Sequence, residues 1–279
     1  MRHPAFALAA LLNAACGLDL KGTAAPADGT PDATAPDDAG GATQADVARA
    51  CGVTQGAFAN ANAFSFGAKK IDGQLDDWGC QAPILLIESS AAFKKGPAGG
   101  TFVISAKMRV EWEPDHLYLA AEVTDPKLEG DAANTTQNDS VELYLSGAPS
   151  PATLTGNYGP NDHHYAFDYH GAIQDFADGR TTLVSNVESK IAVVPGGYVV
   201  EARVPAANVG RPALALGDTL AFDLQINDSD GVQQSYSLVW ALSKPEGCSC
   251  ASPCCCGQQP STIDLPWCDT RRFATLSLR

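Results

Sequence analysis

Leu220-Ala221-Phe222-Asp223-Leu224-Gln225-Ile226-Asn227 alternates strictly between large apolar residues and small or polar ones. Successive side chains of an extended chain point to opposite faces. Leu220, Phe222, Leu224 and Ile226 therefore share one face, and Asp223, Gln225 and Asn227 share the other. The same period of two recurs in both directions along the chain. It is seen in Leu117, Leu119, Ala121 and Val123, in Val141, Leu143 and Leu145, in Tyr165, Phe167 and Tyr169, and in Tyr198, Val200, Ala202 and Val204. Gly, Pro, Asn and Asp separate these runs, and no segment carries a long helical stripe. Many short half-buried strands divided by turn residues predict an all-β fold, an antiparallel immunoglobulin-like or jelly-roll-like β-sandwich.

The chain has 279 residues, enough for one large all-β domain with insertions. Its 32 acidic against 18 basic residues give a net charge of −14. Such a surface repels nucleic-acid phosphates and anionic lipid headgroups and is compatible with neutral sugars and divalent cations, so we expect no nucleic-acid partner.

The first sixteen residues, MRHPAFALAALLNAAC, combine a basic Arg2, a short apolar run from Phe6 to Leu12 and small residues before Cys16. This is a signal-peptide pattern, too short for a membrane span. Leu12-Asn13-Ala14-Ala15-Cys16 resembles a bacterial lipobox, which implies lipidation of Cys16 and a membrane contact through that anchor alone. An ordinary signal peptide cut at the Ala pair is the alternative. Either way the protein is expected to be exported, to the cell envelope as an outer-membrane lipoprotein or to the extracellular space. Residues 17–62 are rich in Ala, Pro, Gly, Thr and Asp and read as a flexible tether. Residues 63–279 read as the folded, monomeric domain, interrupted by a Cys-rich insertion at 245–268. With Cys16 set aside, Cys51, Cys80, Cys248, Cys250, Cys254, Cys255, Cys256 and Cys268 make an even set. In an oxidising compartment they predict disulfides of undetermined pairing; a thiolate metal site is the alternative.

Several phrases, taken in order, resemble family 9 carbohydrate-binding modules. They begin with Ile71-Asp72-Gly73-Gln74-Leu75-Asp76-Asp77-Trp78, followed by His116-Leu117-Tyr118-Leu119 and Val123-Thr124-Asp125. Asn138-Asp139-Ser140-Val141-Glu142 comes next, then Gly197-Tyr198-Val199-Val200-Glu201 through Pro205, Phe222 through Asp228, and Phe273 through Leu278. The resemblance implies a non-catalytic module that binds a polysaccharide or oligosaccharide. It implies Glu142, His164 and Asp228 as hydrogen-bonding residues and Trp240 as an aromatic platform for a sugar ring; a core tryptophan is the alternative for Trp240. A second Trp is expected before Asn138, where Asn134-Thr135-Thr136-Gln137 has no aromatic; Tyr158 is a loop aromatic that could stand in for it.

Asp228-Ser229-Asp230-Gly231 has the closely spaced carboxylates and Gly of a calcium loop, so Asp228 and Asp230 are candidate Ca²⁺ ligands. A plain turn is the alternative. Met108 paired with His163 or His164 could ligate haem in a related sandwich, but Met108 alternates with Ala106, Val110 and Trp112 and reads as core. Trp78 and Trp112 read as core as well. No nucleophile elbow or phosphate loop is present, so no catalytic residue is assigned. A structural or protein-interaction module that has lost sugar binding is the other reading.

Overall fold

The computed structural model describes residues 54–55, 60–78, 83–88, 93–95, 103–155, 157–177, 182–184, 186–231, 234–241, 266–267 and 270–279. All nine cysteines, the signal segment and most of the expected tether lie outside them.

The strands in chain order are β1 (Thr54–Gln55), β2 (Asn60–Ala63), β3 (Ile84–Ile87), β4 (Phe93–Lys95), β5 (Ser105–Glu113), β6 (His116–Thr124), β7 (Ser140–Ser146), β8 (Asp162–Asp168), β9 (Ile173–Asp175), β10 (Thr182–Leu183), β11 (Glu188–Val194), β12 (Gly197–Pro205), β13 (Thr219–Ser229), β14 (Gln234–Val239) and β15 (Ala274–Leu278). Sheet I has the order β1-β3-β5-β6-β12-β11. Sheet II runs β10-β9-β8-β7-β13-β14-β4, with β15 also on β13 and β2 on β15. Pairing is antiparallel except at β1–β3 and β2–β15. Asn60, Ala61 and Asn62, placed in the tether from sequence, belong to β2. The domain starts earlier because their backbone groups complete the ladder of β15.

Turn chemistry fixes the central hairpins. Glu113 pairs with His116 across Pro114-Asp115, and Val194 pairs with Gly197 across Pro195-Gly196, where Gly196 takes φ +85°. Between the sheets the alternating apolar residues meet in one core. Met108, Leu119, Val200 and Tyr198 from sheet I pack with Val141, Leu143, Phe167, Phe222, Leu224 and Ile226 from sheet II. Each large side chain so buried contributes about 1.5–3 kcal/mol. Cutting Leu224 back to Ala would remove about 2–5 kcal/mol.

The outer faces of the sheets are covered as well. On sheet I, Trp78 packs on Tyr118 and Ala120, with Ile71 and Leu75 beside it. On sheet II, Phe273 packs on Tyr144 and Ala221, with Leu154, Tyr158 and Trp267 around them. Every residue of β7 and β8 is consequently buried, on both faces.

Candidate functional site

The polar face of sheet II follows from strand register. β7 sets Glu142 opposite Gln225 of β13 on one side and opposite Ala166 of β8 on the other, while Tyr144 stands between Asp223 and His164. Glu142, expected from the resemblance as a residue that hydrogen-bonds a sugar, is 1% exposed. It is the centre of a buried hydrogen-bond network. Its Oε2 lies 2.6 Å from His164 Nε2 and accepts from the Tyr144 hydroxyl, and its Oε1 accepts from Asn227 Nδ2. Tyr144 also reaches Gln225 Oε1 at 3.2 Å, Gln225 Nε2 donates to Asn227 Oδ1 at 2.6 Å, and Asn227 Nδ2 donates to Ser140 Oγ at 2.9 Å. The Tyr144 and His164 rings stack with centroids 4.3 Å apart.

Burial acts to raise the Glu142 carboxyl, but the charge and hydrogen bond of His164, with Tyr144 and Asn227, outweigh it and hold the group below its ordinary value. On the same face, burial lifts Asp223 well above the usual carboxylate range, against the N–H groups of Ala241 (2.9 Å) and Leu224 (2.7 Å) that donate to its Oδ1. The cover is anchored by Tyr158, whose hydroxyl donates to the Pro266 carbonyl at 2.7 Å and whose ring meets Phe273 edge-on at 6.1 Å.

The structure brings Glu142 and His164 into contact and separates the other two expected sugar contacts from them. Trp240 is wholly buried on the opposite face of sheet II, its ring 5.6 Å from Phe222 in the intersheet core. The expectation of Trp240 as an exposed platform is therefore corrected: the apolar alternation that fills the core continues past β14 and takes the indole with it. Asp228, at the far end of β13, belongs to a different cluster. Tyr158 does lie over the Glu142 face, as an aromatic lid element and not as one of a pair of walls. Met108 is buried in the core, and Trp78 and Trp112 are core residues at 1% and 4% exposure. His163 turns both ring nitrogens to protein oxygens, Asp175 Oδ2 and the Asn208 carbonyl, each at 2.8 Å.

The acidic cluster unites Asp125 at the end of β6, Asp139 just before β7 and Asp228 in β13, with one carboxylate oxygen of each within 4.8 Å of the others. Asp125 is 3% exposed and its Oδ2 has no hydrogen-bond partner. Asp139 accepts from the backbone N–H groups of Ser229 (2.7 Å) and Glu129. Burial lifts Asp139 to about 7 and Asp228 to about 6, with the neighbouring carboxylates adding to both. Oxygen donors so grouped, one of them buried without a partner, suit a hard cation. Sequence spacing pointed to Asp228 with Asp230; the geometry pairs Asp228 with Asp125 and Asp139. Those two sit in recognisable phrases, but only the packing of sheet I on sheet II reveals their proximity. Tyr144 was likewise missed, because it reads as one more strand aromatic.

The chain matches the family described as carbohydrate family 9 binding domain-like over residues 71–278. It is 27% identical over 182 residues to the endo-1,4-beta-xylanase C of Paenibacillus barcinonensis, which covers 65% of this chain and 15% of the xylanase. A family 9 carbohydrate-binding module from Caldicellulosiruptor kristjanssonii in complex with glucose superposes with a TM-score of 0.60 at 21% identity, covering 79% of this chain and 95% of the module. The same module in complex with cellotriose gives a TM-score of 0.59 at 21% identity, over 79% and 93%. These structures share the sandwich fold. The match over nearly the whole folded region shows that this chain belongs to the carbohydrate family 9 binding domain-like family.

Proposed function

We propose that the chain binds a neutral saccharide, non-covalently and without catalysis, on the outer face of sheet II. Family membership supports this reading, and the observation that carries it is the hydrogen-bonded set of Glu142, His164, Asn227 and Gln225 on that face. Sugars are recognised by fixed arrays of planar acceptors and donors beside an aromatic surface. In this reading Glu142 and His164 are the polar floor, and a sugar hydroxyl reaches them where the half-buried Tyr158 gives way. Trp240 supports the floor from the core side, and Asp228 serves a cation. The cation is Ca²⁺ at Asp125, Asp139 and Asp228, a structural tie between the end of β6 and the strands of sheet II. Export by residues 1–16, with a lipid on Cys16 and a monomeric domain, completes the proposal; the supporting observation is the basic, apolar and small-residue order of that segment.

The test is a glycan array on the full chain, followed by titration with glucose and cellotriose of the wild type and of Glu142→Gln and His164→Ala. Binding that weakens in both variants supports the reading. No binding to any saccharide overturns it and leaves the structural-module reading, which the burial of Glu142 and Trp240 favours.

A further inference from the structure

The face that is filled around Glu142 opens farther along the same strands. Ser146 follows Tyr144 by two residues and Asp162 precedes His164 by two, and they pair with each other across β7 and β8. Both therefore project from the same face as the network. There the aromatic cover ends. A solvent-open cavity of about 610 Å³ is bounded by Ser146, Leu154, Asn161, Asp162, Arg211 and Pro212. Its volume lies in the range of small-molecule sites, about 300–1,000 Å³.

The walls are pinned. Gly147 lets the Val209 carbonyl approach so closely that a Cβ there would lie 2.0 Å from the oxygen. Gly210, at φ +69°, would bring a Cβ within 2.5 Å of Asn161 Nδ2. Asp162 Oδ2 accepts from the Gly159 N–H at 2.7 Å, and Arg211 Nη2 donates to the carbonyls of Gly147 and Thr219, each at 3.2 Å. A cavity held this way exists before any ligand arrives, so little ordering opposes binding.

Its chemistry is mixed and close to charge-balanced. The Arg211 guanidinium is paired with Asp218, 3.3 Å away, and the wall also carries the opposite charge of Asp162. With one lining charge of each sign, the wall favours neither an anion nor a cation. Carboxylate, amide and guanidinium edges stand beside the apolar sides of Leu154, Pro160 and Pro212, which is the combination a polyhydroxylated ring with hydrophobic C–H faces requires.

We propose that this cavity, at the open end of the face floored by the Glu142 network, holds a further neutral sugar unit, with Asp162 and Asn161 meeting its hydroxyls and Leu154 its C–H face. This rests on the saccharide-binding reading above and assigns the open part of that face to the ligand. The experiment titrates the full chain with glucose and with cellotriose by calorimetry, in wild type, Asn161→Ala and Ala148→Trp. Ala148 also lines the cavity and makes no part of the network, so an indole there is placed to fill it. Loss of binding in Ala148→Trp and weakening of about fivefold or more in Asn161→Ala, with unfolding temperatures near wild type, support the site. Wild-type binding that both variants retain overturns the cavity assignment and leaves the saccharide reading intact. No wild-type binding removes the saccharide reading and this site with it. If Ala148→Trp fails to fold, Asn161→Ala at an exposed position decides alone.

Discussion

Trp78 Nε1 donates a 2.7 Å hydrogen bond to Glu201 Oε1, joining the opening phrase of the domain to a strand 123 residues later. The same carboxylate accepts from the backbone N–H groups of Asp72, at 2.9 Å, and Gly73. Gly73 takes φ +85° and sits against the Ala192 and Lys190 side chains, 3.2 Å from where a Cβ would be. The Asp-Gly turn, the Trp and the Glu of β12 are thus parts of one clasp that seals the outer face of sheet I. Replacing Glu201 by Gln puts an amide N–H against N–H donors, and Trp78→Phe leaves a buried carboxylate oxygen without a partner. Each substitution should cost about 1–3 kcal/mol in urea unfolding. The double variant should lose less than the sum, because both changes break the same contact; additive losses would show that the clasp is not a unit.

Glu111 predicts a pH dependence of stability. It is fully buried, and burial lifts its carboxyl to about 7 although Lys69 Nζ lies 2.8 Å from Oε2. The folded state therefore keeps this proton to higher pH than the unfolded chain, whose Glu titrates near about 4.3. The stabilisation is complete below the unfolded value and is lost as pH rises toward about 7. Glu111→Gln should flatten that part of the profile, by a few kcal/mol in order of magnitude. A melting-temperature series from pH 4 to 8 that is identical in the two proteins would count against it.

Glu142 predicts the opposite slope. Its carboxyl is held low by His164, Tyr144 and Asn227 against the effect of burial. Its contribution is present above the unfolded carboxylate value and lost as pH falls through the lower, folded one. Glu142→Gln should soften the acid limb of the melting profile and cost about 1–3 kcal/mol near neutrality, since the amide cannot accept from both His164 and Tyr144 at one oxygen without turning its own N–H₂ on Asn227. Tyr144→Phe should cost less, because Glu142 keeps two donors.

The alternation around Phe222 was enough to identify the strands, and the ordered phrases were enough to identify the family, because both are local in sequence. Trp78, Trp112 and Met108 were legible as core for the same reason. The candidate site was not. Asp223, Gln225 and Asn227 alternate with apolar residues just as a solvated face would, and nothing local tells a wet polar face from one sealed by a distant segment. Here the seal comes from Tyr158 and Phe273, which precede and follow most of the sheet in sequence. The acidic cluster was half legible. Asp228 carries a calcium-loop pattern, while Asp125 follows β6 of sheet I and Asp139 precedes β7 of sheet II, and only the packing of the two sheets brings them together. Trp240 shows the converse error, an aromatic read as a platform whose strand parity turns it inward.

The Asp125, Asp139 and Asp228 cluster gives the last prediction. Three carboxylates gathered this closely repel one another, and all three are already raised by burial and by neighbouring carboxylates. A divalent cation would replace that repulsion by direct coordination and would satisfy Asp125 Oδ2. Because a ligand that binds only the folded state stabilises by mass action, Ca²⁺ at about a hundred times its dissociation constant should add about 2.7 kcal/mol. For a domain of this size each kcal/mol raises the melting temperature by about 2–4 °C. Calcium should therefore raise the midpoint by several degrees, and a chelator should reverse the gain. Asp125→Asn should abolish the response while leaving the calcium-free protein as stable or more so, since it removes one repelling charge. A calcium response that survives Asp125→Asn and Asp139→Asn together would place the ion elsewhere, and no response in wild type would mean that the cluster holds no calcium.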